Sequence, residues 1–154
     1  MAHVEGQIII HRPMDEVFDF VADECNEPRY NPEMRRAEQT SAGPIGVGTT
    51  FRAEMMSRGR PVEMTITYTD FARPRRYTSL THLSTMDIQG TLTFDPVAEG
   101  TQMRWSWELM PRGVLKLLTP VIAWIGRRQE RSIWTGLKRY LEAQEAPLAA
   151  DKGV

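Results

Sequence analysis

Alternating strands that run into one long amphipathic helix are the feature that most limits how this chain folds. Ile88–Phe94 and Gln102–Leu109 alternate apolar and polar residues, and Glu99, Gly100 and Thr101 turn the chain between them. From Pro111 an apolar stripe follows at helical spacing: Leu115, Leu118, Val121, Ile122, Ile125, Trp134, Leu137 and Leu141. A helix of that length has to lie against the sheet formed by the strands to bury its stripe. A large helix across a curved sheet is a natural way to enclose a pocket, which predicts a small-molecule-binding domain.

The rest of the chain reads as the remainder of that sheet. Val4–His11 is expected as a strand with Ile8 to Ile10 as its apolar core. Pro13 suits the first turn of a short helix, Asp15 and Glu16 supply first-turn acids, and Val17, Phe18, Phe20 and Val21 form its apolar side. Asn26–Pro32 contains two prolines and has room for one helical turn. Met34–Thr40 is a weaker strand signal, and the loop Ser41–Gly48 follows it. Thr49–Ser57 and Pro61–Phe71 form a hairpin about Arg58, Gly59 and Arg60; Arg76–Leu83, Thr85–Phe94 and Thr101–Leu109 complete a meander. The closing helix is expected from Pro111 to Ala143, with a kink at Pro120. One domain is expected over residues 1–146, with a frayed tail at 147–154.

Composition removes several function classes. The chain has 154 residues, enough to bury a core without metal or disulfide support. Its 19 Lys and Arg nearly balance 20 Asp and Glu, so bulk charge gives no sign of nucleic-acid binding. The one cysteine, Cys25, excludes an internal disulfide framework and suits a reducing cytoplasm. No cationic stretch followed by a long apolar run opens the chain, and Val114–Ile125 falls short of the roughly 20 apolar residues a bilayer span needs. A cytoplasmic protein without stable membrane insertion is the expectation.

The residues themselves resemble a family. Ile10-His11-Arg12-Pro13 with Glu16-Val17-Phe18, and then Val21-Ala22-Asp23, look like the opening of the START-like (SRPBCC) superfamily. Pro28-Arg29-Tyr30-Asn31-Pro32 is similar to the proline–aromatic–proline segment of its polyketide cyclase/dehydrase-like branch, with Tyr30 where tryptophan is common. Gly43 to Thr49, Gly90 with Phe94 and Pro96, Gly100-Thr101, and Leu137 to Glu142 match further signposts. The resemblance runs over about residues 4 to 145. It implies an α+β helix-grip fold: a curved antiparallel sheet of about six to seven strands around the C-terminal helix, with two short helices after the first strand. It also implies a hydrophobic or amphipathic ligand of lipid, quinone or aromatic polyketide type. No cofactor is expected.

Catalytic motifs are sparse. His3, His11 and His82 are too scattered for a local metal site, and Cys25 has no neighbour at ligand spacing. The glycine loop at 43–48 leads into a strand rather than a helix, so it reads as a turn and not a phosphate cradle. Glu54, Glu63, Asp87 and Glu108 fall opposite the apolar positions of their strands and are expected on a solvated outer face. The stronger signal is collective. Phe51, Met55, Met64, Tyr68, Leu80, His82, Met86, Ile88, Trp105 and Trp107 read as an inward, methionine- and aromatic-rich wall, with Leu118 and Ile122 facing it from the helix.

Three functions fit that reading: a non-enzymatic binder or carrier, a cyclase or dehydratase with His82 or Tyr68 moving a proton, and an interaction module whose exposed helix meets a partner. Leu117 and Trp124 fall off the main stripe, and their spare apolar surface suits a homodimer contact or a lid that touches a membrane.

Overall fold

Seven strands pair antiparallel in the order β1-β7-β6-β5-β4-β3-β2. The computed structural model describes residues 2–144. β1 (Ala2–Ile10) is followed by α1 (Met14–Ala22) and a 3₁₀ helix (Glu24–Arg29). The meander then runs through β2 (Met34–Gln39), β3 (Thr50–Ser57), β4 (Arg60–Ala72), β5 (Arg76–His82), β6 (Met86–Val97) and β7 (Gly100–Pro111). A second 3₁₀ helix (Gly113–Leu118) leads into α2 (Thr119–Ala143). This is the helix-grip arrangement, with β1 returning to β7 at one edge of the sheet and β2 left at the other. The tail expected at 147–154 lies outside the described residues.

The two short helices start where local chemistry allows. Pro13 precedes α1, whose first turn carries Asp15 and Glu16 and whose inner side buries Val17, Phe18, Val21 and Ala22. The Asp23 carboxylate then accepts from the Cys25 backbone N–H at 3.1 Å and caps the 3₁₀ helix. The expected kink at Pro120 is not how that proline is used. The segment before it is a separate 3₁₀ helix, and Pro120 sits in the first turn of α2, where no hydrogen bond from its nitrogen is required.

Alternation divides the sheet into a concave, apolar face and a solvated one. Glu54 and Glu63 pair on the outer face with Arg36 at 2.9 Å and Arg52 at 3.2 Å, and Glu108 meets His3 at 2.6 Å. The loop at 43–48 is a turn stitched to β3 and β4: Gly43 and Gly48 take positive φ, and the Gly48 N–H donates to the Tyr68 carbonyl at 2.8 Å.

β5 reverses the expected face. Tyr77 and Ser79 are buried, whereas Leu80 is 41% exposed and His82 is exposed. Tyr77 decides the parity. Its ring packs against Phe18 at 5.9 Å and Tyr68 at 4.8 Å, and its hydroxyl reaches the Val21 carbonyl. With period-two geometry Leu80 and His82 must then point outward, opposite Thr67 and Thr65 on β4.

Packing under the sheet forms two clusters. The larger joins α1, the aromatic residues Phe51, Tyr68, Tyr77 and Phe94, and the C-terminal half of α2 through Trp134, Leu137 and Leu141. The smaller joins Ala2, Val4 and Leu109 to Ala123 near the start of α2. Two glycines let α2 approach this closely. A methyl group at Gly126 would touch Leu109 and Val4 at 3.3 and 3.4 Å, and one at Gly136 would come within 2.6 Å of the Tyr30 carbonyl oxygen. Trp107 and Ile88 pack against both clusters, so they mark the waist between them.

Candidate functional site

A half-buried carboxyl sits at that waist. Glu130 on α2 accepts the indole N–H of Trp107 from β7 and that of Trp134 from its own helix, each at 2.8 Å and both on Oε2. Among the described residues Oε1 takes no hydrogen bond from the protein. Burial pushes the Glu130 carboxyl up to about 7; the two indole bonds oppose that rise and the nearby Glu27 charge adds to it. The indoles thus hold the carboxylate when it forms, and the apolar surroundings keep it close to protonation at neutral pH.

The tryptophans are placed by glycines on neighbouring strands. Trp107 is the cross-strand partner of Gly90, and Trp105 that of Gly6. A side chain at either glycine would overlap the indole, so each ring lies over bare backbone of the adjacent strand. Trp105 continues to Trp134 at 5.9 Å between ring centres, and Trp134 to Tyr30 at 6.2 Å. Met55, Met86, Ile88, Trp107 and Glu130 pack inward yet keep some accessible surface.

A second acidic group closes one end of this interior. Glu24 and Glu27 project from the first 3₁₀ helix, and burial together with the neighbouring Glu27 holds the Glu24 carboxyl well above the usual carboxylate range. Glu27 accepts from the Asn31 side chain at 2.9 Å. The Tyr68 hydroxyl donates to the Ala22 carbonyl at 2.6 Å and lies 3.3 Å from Glu24. The Tyr77 hydroxyl donates to Val21 at 3.4 Å. These tyrosines therefore satisfy carbonyls at the end of α1, which its own helix leaves without donors. Burial raises both phenols well above their ordinary value, and both stay protonated as donors.

The residues expected to form the wall divide accordingly. Phe51, Met64, Tyr68 and Trp105 are buried on the concave side, and Met55, Met86, Ile88 and Trp107 border it partly buried. Ile122 packs on the smaller cluster. Leu80 and His82 lie outside, and His82 Nδ1 is 2.7 Å from Asp87 and 2.9 Å from Arg112. Leu118 belongs to the second 3₁₀ helix and is 49% exposed, so it forms part of the surface rather than the wall. Tyr68 is inside, but its hydroxyl is committed to α1. Neither residue expected to move a proton is thus free to do so in the interior.

Glu130 lies on the helix, apart from the strand carboxylates that the sequence pattern singles out. Its signal lies in the helix spacing: Ala123, Glu130, Trp134, Leu137 and Leu141 share one stripe, so an acid interrupts an otherwise apolar face. Two depressions lie apart from Glu130, one along Glu5, Gln7, Thr93, Arg104 and Trp105 and one along Arg36, Glu38, Arg52 and Glu63. Among the described residues, no His, Cys, Asp and Glu side chains gather into a group able to hold a metal ion.

Solved structures share the whole architecture. A START superfamily protein from Mycobacterium smegmatis superposes with a TM-score of 0.80 at 10% identity, covering 93% of this chain and 99% of that one. The Zhui aromatase/cyclase from Streptomyces sp. R1128 gives 0.79 at 14% identity, with 92% and 94% covered. The di-domain aromatase/cyclase BexL of the BE-7585A biosynthetic pathway gives 0.77 at 24% identity, and this chain covers 48% of its length. No curated protein matches in sequence. The family described as polyketide cyclase / dehydrase and lipid transport matches residues 1–142, and the chain belongs to it.

Proposed function

We propose that the protein binds a hydrophobic, ring-bearing small molecule between the concave sheet and α2, with the Glu130 carboxyl as its polar anchor. The observation that carries this reading is the pairing of an apolar wall with one oriented carboxyl. Oε2 is fixed by two indoles and Oε1 is left for a hydroxyl or enol of the ligand. Phe51, Met55, Met64, Met86, Ile88, Trp105, Trp107 and Ile122 form the wall, and the methionines adapt it to an irregular shape. The test is native mass spectrometry of protein from its own host, with thermal shifts against aromatic polyketides, quinones and fatty acids. A co-purified or stabilising apolar ligand supports the reading; an empty protein that no compound shifts overturns it.

A second reading, a cyclase or dehydratase, is favoured by the position of the Glu130 carboxyl near neutrality. In a dehydration the carboxylate takes the proton from a carbon beside a carbonyl and returns it to the departing hydroxyl. The C–H and C–O bonds break, a C=C bond forms and water leaves. Glu130→Gln then abolishes turnover of a β-hydroxy polyketide while keeping its affinity. Equal loss of both assigns Glu130 to recognition alone.

A further inference from the structure

Outside the interior, the second 3₁₀ helix and the first turns of α2 expose apolar surface with no protein against it. Leu117 is 84% exposed and Trp124 57%, and Val114, Leu118, Val121 and Ile125 are exposed beside them. On α2 the exposed apolar residues Val121, Trp124 and Ile125 share one side with Arg128, opposite Ala123 and Glu130.

The charge around that surface has one sign. Lys116, Arg127, Arg128 and Arg131 are exposed and make no ion pair among the described residues. The one acid between residues 113 and 132 is Glu130, which points inward to Trp107. The Arg128 guanidinium lies over the Trp124 ring, 5.6 Å from its centre, so a cation and an indole stand together at the outward face. The whole chain has a net charge of −1, so this cationic rim is local.

We propose that this face docks on the surface of an anionic phospholipid bilayer. Leu117, Val121 and Trp124 enter the headgroup boundary, and Lys116, Arg127, Arg128 and Arg131 meet the phosphates. An exposed apolar strip with a tryptophan, ringed by basic residues, is the pattern of a helix that lies in the interface without crossing it. No helix among the described residues is long and apolar enough to cross. A second copy of the chain fits less well, because a two-fold contact would set this cationic rim against itself.

The experiment is co-sedimentation of the full chain with vesicles of phosphatidylcholine alone and of equal parts phosphatidylcholine and phosphatidylglycerol. Binding to the anionic vesicles alone, weakened by added salt, is the expected result. Arg127→Glu with Arg128→Glu lowers the partition coefficient at least about tenfold, from roughly fivefold per surface cation removed. Leu117→Ser lowers it separately through the apolar side. All three positions are exposed, so an unchanged Tm is expected and verifies that the variants fold. Absence of binding to anionic vesicles overturns the proposal, as does binding that neither variant weakens. A concentration-dependent dimer in sedimentation velocity, abolished by Leu117→Ser, assigns the face to a second copy and also overturns it.

Discussion

Trp107 on β7 donates its indole N–H to Glu130 on α2 at 2.8 Å, and this bond joins sheet and helix where Trp107 packs against both clusters. The contact is polar in an apolar setting, so its energetics are governed by the protonation of one carboxyl.

Stability follows from that carboxyl with a definite sign. In the folded protein Glu130 holds its proton up to about pH 7, against an ordinary value of 4.5. The folded state therefore binds more protons than the unfolded chain between those values. Its stabilising effect is complete below the lower value and is lost as pH rises through the higher one. The full difference is about 3 kcal/mol as an upper figure. Urea unfolding at pH 5 and pH 8 should show the decline in the wild type, and Glu130→Gln should flatten it while raising stability at pH 8.

Gly90 tests whether the indole has to lie flat. Gly90→Ala puts a methyl group into the Trp107 ring and costs about 1–3 kcal/mol through overpacking. Displacing the indole removes one of the two donors to Glu130, so the pH at which stability is lost moves upward. Denaturant titration across pH measures both effects; an unchanged pH profile would show that the indole does not support the carboxyl.

Tyr68→Phe deletes the hydroxyl that caps α1 at Ala22. The expected cost is about 1 kcal/mol or slightly more, because a buried carbonyl loses its donor. Affinity for any ligand that stabilises the wild type should change little, since this hydroxyl is turned to the helix end. A large loss of affinity with unchanged stability would instead place the hydroxyl on the ligand.

His82→Ala should be nearly silent. His82 sits on the outer face beside Asp87 and Arg112, and exposed substitutions of this kind shift stability by about 0.5 kcal/mol or less. Ligand-induced thermal shifts should match those of the wild type. A lost shift would return His82 to the binding site.

The fold was legible because its signals are local and repeated. Period-two alternation marked β6 and β7, proline and first-turn acids marked α1, and the stripe through Trp134, Leu137 and Leu141 required a sheet beneath the last helix. The inward face of the sheet was legible wherever alternation ran unbroken, as from Phe51 to Met55 and from Met103 to Trp107.

Long-range packing sets which face each strand turns inward and which polar groups meet. Alternation alone cannot say whether Leu80 or Ser79 faces the core; the aromatic seat of Tyr77 against Phe18 of α1 and Tyr68 of β4 decides it. The carboxyl at the centre has the same origin. Glu130, Trp107 and Gly90 are scattered along the chain, and they meet because the meander sets β6 beside β7 and α2 folds back over both. Local pattern along the chain specifies a sheet gripping a helix. The three-dimensional packing determined that Glu130, held by two indoles, stands inside that grip, because long-range contacts set the dielectric and the partners on which a buried charge depends.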